Sequence, residues 1–93
     1  MQHIPQNVYY HGKVVVSVGC KVPDGRDATI GYIPNSGDYD FGIANRRETI
    51  IVTSGSMYVN SVHSSEDQIL VVEKGEPISL TTVGPVTYLC IYD

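Results

Sequence analysis

The chain has 93 residues, 42% of them hydrophobic, and a formal charge of −4 from six Lys and Arg against ten Asp and Glu. That balance excludes a protein that tracks a nucleic-acid backbone, which needs a basic face to replace phosphate counterions. No stretch approaches the roughly 20 apolar residues of a membrane-spanning helix, and two cysteines are too few for a disulfide framework.

Taken in order, the chain opens on Met1-Gln2-His3-Ile4-Pro5-Gln6-Asn7. No basic segment followed by an apolar one is found there, so no signal peptide is expected. The expectation is a cytoplasmic protein, in the host cytoplasm if the source is viral. Residues 1–12 are expected to form an N-terminal arm, whose Val8, Tyr9 and Tyr10 either pack on a partner subunit or belong to a frayed terminus, and residues 13–93 a single domain. A chain this short buries only about 60–65% of its unfolded surface. A homo-oligomer, dimer or larger, is therefore expected.

Beyond the arm, short runs rich in Val, Ile, Thr and Tyr alternate with Gly, Pro, Asn and Asp, the pattern of strands joined by turns. The strands are expected at Lys13–Gly19, Ala28–Ile33, Asp38–Phe41, Glu48–Thr53, Met57–Val62, Gln68–Val72, Ile78–Val83 and Val86–Tyr92. Turns fall at Pro23-Asp24-Gly25, Pro34 to Gly37, Ser54-Gly55, Ser64 to Asp67, Glu73 to Pro77 and Gly84-Pro85, with a loop over Ile43 to Arg47. Eight short strands with no segment of helical period predict an all-β barrel or sandwich.

The order of several short motifs resembles one family, the small cupin proteins that act as pyrimidine/purine nucleoside phosphorylases. The matching pieces are Tyr9-Tyr10-His11-Gly12-Lys13-Val14, Gly25-Arg26, Ile30-Gly31, Gly37-Asp38-Tyr39-Asp40-Phe41, Glu48 to Gly55 and Pro85 to Tyr92. The resemblance implies a single cupin-like β-barrel (jelly roll), usually dimeric, that handles nucleosides and phosphate. In that family a further strand-length segment stands between the turn matching Glu73–Pro77 and the last two strands. Here Gly75-Glu76-Pro77 runs almost directly into Ile78. Loss of that segment is expected to reshape the barrel mouth, and to hurt catalysis, which is sensitive to shifts of about 1 Å, more than capture.

The histidines, His3, His11 and His63, are too scattered for the His-x-His pair of metal-binding cupins, and the carboxylate nearest His63, Glu66, sits in a polar turn. Neither a metal site nor a cofactor is expected. Cys90, among Tyr88, Leu89, Ile91 and Tyr92, is expected to be an inert buried thiol. A nucleoside asks for an aromatic face and a carboxylate for its ribose diol, and any phosphate asks for Arg. The candidate ligand-binding residues are therefore Arg26, Tyr39, Phe41, Arg46, Arg47, Glu48 and Tyr88. Tyr39 and Phe41 share a strand face, and Arg46-Arg47-Glu48 place a carboxylate beside two guanidinium groups. Ordinary core packing for the aromatic residues and surface ion pairs for the charged ones remain open.

Three functions stay open. The first is capture of a nucleoside- or nucleotide-like molecule, including a viral sponge for nucleotide immune signals. The second is phosphorolysis of purine or pyrimidine nucleosides to base and pentose 1-phosphate. The third is an oligomeric structural subunit without a ligand. Nucleosides, nucleotides or phosphate are the expected small-molecule partners, with no nucleic acid and no membrane.

Overall fold

In the computed structural model, residues 19–93 are described in full, together with the strand pairing of Gln6–Tyr9 and Val14–Ser17. Among the described residues, eleven strands follow in chain order: β1 Gln6–Tyr9, β2 Val14–Ser17, β3 Cys20–Lys21, β4 Asp27–Ile33, β5 Gly37–Ile43, β6 Glu48–Ser54, β7 Ser56–Val59, β8 Val62–Ser65, β9 Ile69–Val72, β10 Pro77–Thr82 and β11 Val86–Tyr92. They form an antiparallel seven-stranded sheet, ordered β1-β2-β4-β11-β6-β9 with β3 also on β4, and a four-stranded sheet ordered β5-β10-β7-β8. The expected boundary near residue 12, along with Tyr10, His3 and His11, lies outside the described residues.

Period-two alternation decides which residues meet inside. Ile33, Ile50, Val52, Val72, Val86, Tyr88 and Cys90 from the large sheet pack on Tyr39, Met57, Val59, Ile78 and Leu80 from the small one. Tyr88 owes its place to Gly31, its cross-strand partner on β4. A side chain there would collide with the Tyr88 ring, coming 2.6 Å from its hydroxyl oxygen. The ring therefore fits only because residue 31 carries no side chain.

Two expectations about turns are corrected. Met57–Val62 is not one strand but a hairpin, in which Val59 pairs with Val62 around Asn60 (φ 49°) and Ser61 (φ 67°). A two-residue loop with both centres at positive φ matches the twist of its strands, and Asn accepts that conformation best after Gly. Asn60 is held further by its amide, which donates to Pro77 O at 2.8 Å and accepts from Ser79 N at 2.9 Å. The polar Ser64 is likewise not in a turn. It lies in β8 opposite Met57, is 1% exposed, and its hydroxyl has no hydrogen-bond partner among the described residues.

The outer face of the large sheet carries an apolar row. Leu89 lies directly opposite both Ile30 and Ile51, and Ile51 opposite Ile69, so four strands contribute one side chain each. Ile30 and Ile69 are more than half exposed, and Tyr32 and Val71 are exposed beside them. No described helix is long and apolar enough to cross a membrane.

Candidate functional site

The two sheets are packed tightly at one end, where Ile33, Val52, Met57 and Val86 are at most 1% exposed. Toward the other end they part around a cavity of about 460 Å³, within the range typical of small-molecule sites. Thr29 from β4, Glu48 and Ile50 from β6, and Tyr88, Cys90 and Tyr92 from β11 form one wall. Phe41 and Ile43 from β5 with Ile78 and Leu80 from β10 form the other, and Asn45 from the β5–β6 loop completes the lining. That loop is pinned by Ala44, whose N–H donates to Glu76 O and whose carbonyl accepts from Gly75 N, both at 2.8 Å. The short turn before Pro77 thus holds the loop that carries Asn45.

One wall is polar. The Cys90 thiol donates to Glu48 Oε1 at 3.1 Å, and the Tyr92 and Thr29 hydroxyls are hydrogen-bonded at 3.0 Å. Burial raises the Glu48 carboxyl above its ordinary value, an effect opposed by the Cys90 hydrogen bond. Burial, then the hydrogen bond to Glu48, pushes the Cys90 thiol far up. Burial likewise raises the Tyr92 phenol. The carboxyl is thus a hydrogen-bonding group facing aromatic rings in a partly dry space, and the thiol beside it is a donor, not a nucleophile.

A second, more open cleft of about 540 Å³ lies alongside, bordered by Lys21, Asp27 and Arg46 and sharing Thr29, Asn45 and Tyr92 with the inner cavity. Arg46 is fixed there: NH1 donates to Asp27 Oδ2 at 2.9 Å, Nε donates to Asp93 O at 3.2 Å, and the guanidinium lies 5.8 Å from the centre of the Tyr92 ring.

Of the residues singled out from sequence, the structure brings Phe41, Glu48 and Tyr88 into the inner cavity and Arg46 to the outer cleft. It does not bring Tyr39, Arg26 or Arg47 to either. Tyr39 is 2% exposed in the core and its hydroxyl donates to Asn35 O at 2.8 Å. Arg26 is paired with Asp24 at 2.8 Å and Asp93 at 3.3 Å, and Arg47 with Glu73 at 3.3 Å. Sequence reasoning missed Thr29, Asn45 and Tyr92, and passed over Cys90 as part of the cavity wall. A signal existed for two of these: Cys90 and Tyr92 stand two and four residues beyond Tyr88, so an inward Tyr88 turns both inward. His63 is exposed and edge-on to Tyr58, with ring centroids 5.1 Å apart. No group of three or more potential metal ligands occurs among the described residues.

Residues 4–92 match the pyrimidine/purine nucleoside phosphorylase family, and the chain belongs to it. No curated protein matches the chain. Among solved structures, it is similar to a protein of unknown function from Vibrio parahaemolyticus, with TM-score 0.80 and 24% identity over 97% of this chain and 98% of that one. It is also similar to a DUF1255 protein of unknown function from Acinetobacter sp. ADP1, with TM-score 0.80 and 20% identity over 96% and 90% of the two chains. An RmlC-like cupin protein from Ralstonia eutropha shares the fold at TM-score 0.77 and 12% identity, over 96% of this chain and 62% of its own. The fold is therefore that of a cupin barrel.

Proposed function

We propose that this member of the nucleoside phosphorylase family holds a nucleoside in the inner cavity. The observation that supports this is one carboxyl, Glu48, lining the same small-molecule-sized cavity as the rings of Phe41, Tyr88 and Tyr92. The base stacks on the aromatic side, and Glu48 accepts from the ribose diol. Family membership makes phosphorolysis the first reaction to test. In it the C1′–N bond breaks, a phosphate oxygen bonds to C1′, and the base leaves with the electron pair and takes up a proton.

Capture without reaction is the second reading, for nucleotide-like as well as nucleoside ligands. It is favoured by the state of the nearby cations. Arg26, Arg46 and Arg47 are each engaged by a carboxylate, and among the described residues none lines the inner cavity. One experiment separates the two. Calorimetric titration with uridine, inosine, adenosine and cyclic nucleotides reads binding, and chromatography after incubation with phosphate reads released base. Binding with release supports phosphorolysis, and binding without release supports capture. No binding to any of them refutes both.

The apolar row Ile30–Leu89–Ile51–Ile69 supports a homo-oligomer in which a second copy covers the large sheet. An uncharged row offers a foreign partner little to register on, whereas two copies can pack it face to face. Leu89→Lys should turn the assembly into monomers in sedimentation velocity. A cytoplasmic setting, in which the unpaired Cys20 and Cys90 stay reduced, belongs to the same reading.

A further inference from the structure

Glu48 is the first residue of β6, on the same strand face as the buried Ile50 and Val52. Across the β6–β11 pair, Tyr92 lies directly opposite Glu48, and Cys90 lies opposite Ile50, one diagonal step away. From that diagonal position the Cys90 thiol donates to Glu48 Oε1 at 3.1 Å, while Oε2 accepts from no described donor. We infer that Cys90 is a positioning residue, whose thiol holds one oxygen of the Glu48 carboxyl so that the other, Oε2, is presented to the ligand in the inner cavity.

The role of Oε2 rests on the nucleoside reading above; the anchoring of Oε1 does not. A glutamate side chain is among the costliest to immobilise, and an anchor made on folding takes that cost out of ligand binding. Nearby hydroxyls are committed elsewhere, since those of Thr29 and Tyr92 bond each other at 3.0 Å, and the facing wall of Phe41, Ile43, Ile78 and Leu80 is apolar. The thiol suits the task because burial pushes its pKa far up, so it stays protonated and remains a donor. Its bond also bears on the charge of the carboxyl. Burial raises the Glu48 carboxyl, and the hydrogen bond from Cys90 opposes that rise. The titratable groups facing Glu48 are Cys90 and Tyr92 from β11; β9 places Val72 opposite it, and the adjacent Arg47 is engaged by Glu73. Loss of the thiol therefore frees the carboxyl to rotate and favours its neutral form, which no longer accepts as a carboxylate. Affinity that depends on the ionised carboxyl is present above the folded-state pKa of Glu48 and is lost as pH falls through it. Without the donor, that loss begins at higher pH.

Three variants of the full chain test it: Cys90→Ser keeps a donor, Cys90→Ala removes it, and Cys90→Val removes it while filling the space of the thiol, which serves if Cys90→Ala does not fold. Two measurements are made on each. Carbon-13 NMR follows the Glu48 carboxyl through an acid titration, its signal assigned by its disappearance in Glu48→Gln. Equilibrium dialysis follows uridine and inosine from pH 5 to pH 8. The Glu48 titration should move to higher pH in Cys90→Ala and Cys90→Val and stay close to wild type in Cys90→Ser. Nucleoside affinity at neutral pH should fall about two- to tenfold without the donor, the size of one hydrogen bond, with its acid limb displaced upward, and Cys90→Ser should restore it. An unmoved Glu48 titration and unchanged affinity in Cys90→Ala and Cys90→Val would overturn the positioning role and leave the nucleoside reading standing. Equal weakening in all three variants would also overturn it, by showing that the thiol acts through packing. A wild-type chain that binds neither nucleoside would overturn the nucleoside reading and the role of Oε2 with it, and the NMR titration would still decide whether Cys90 holds the carboxyl.

Discussion

Replacing Gly31 with alanine should destabilise the fold and constrict the cavity together. The new Cβ would collide with the Tyr88 ring and lie 2.6 Å from its hydroxyl oxygen, whereas an unstrained contact needs about 3.5 Å. The ring must then move by roughly 1 Å, and its neighbours leave little choice of direction, since Tyr88 is 7% exposed and packs within the core cluster. Overpacking of this kind costs about 1–3 kcal/mol. Alanine recovers roughly 0.5–1 kcal/mol of that through a less flexible unfolded chain. The expected net loss is about 1–2 kcal/mol, and a domain of this size loses about 4–8 °C in Tm per kcal/mol. Urea unfolding reads the stability, and titration with a nucleoside reads the cavity. Adding Tyr88→Leu should return part of the stability lost to Gly31→Ala, because the ring that clashes is gone. A Gly31→Ala chain as stable as the wild type, or strictly additive losses in the double variant, would refute the close approach of ring and backbone.

Other consequences are equally direct. Because burial raises the folded-state Glu48 pKa, the folded protein binds more protons than the unfolded chain over the pH range between the two values, so stability falls as pH rises through that range. Glu48→Gln should therefore gain stability relative to wild type at neutral pH and lose that advantage below the ordinary carboxyl range. Thermal melts from pH 4 to pH 8 show it, and a pH-independent difference argues against a buried carboxyl. Cys20 should react with a maleimide at pH 8 and Cys90 only after denaturation, since burial pushes its thiol far up; mass spectrometry of the labelled chain shows which thiol reacts, and early labelling of Cys90 contradicts the buried hydrogen bond to Glu48. Asn60→Ala should cost about 2–3 kcal/mol from two hydrogen bonds and a positive-φ backbone, with Asn60→Gly less severe. Equal losses for the two variants would show that the backbone conformation contributes nothing.

The sequence alone determined most of the strands beyond Ala28 and which faces they turn inward, because both follow from alternation along a few consecutive residues, while the short β3 and β8 were not legible. Val86–Tyr92 has the bounds its pattern predicts, and Ile50 and Val52 face inward together. Asn60-Ser61 escaped because a two-residue turn without glycine resembles two more strand residues. Glu48, Phe41 and Tyr88 were legible as candidates by residue type. Tertiary structure decided which candidates meet. The thiol on Glu48 comes from 42 residues away and the partner of Tyr92 from 63. Those contacts depend on how the two sheets close over each other, which local periodicity does not encode. The fate of the arginines was decided in the same way. A guanidinium becomes a surface ion pair or a wall of the site according to where Asp24, Asp27, Glu73 and Asp93 arrive when the strands align, and strand register is a property of the whole barrel.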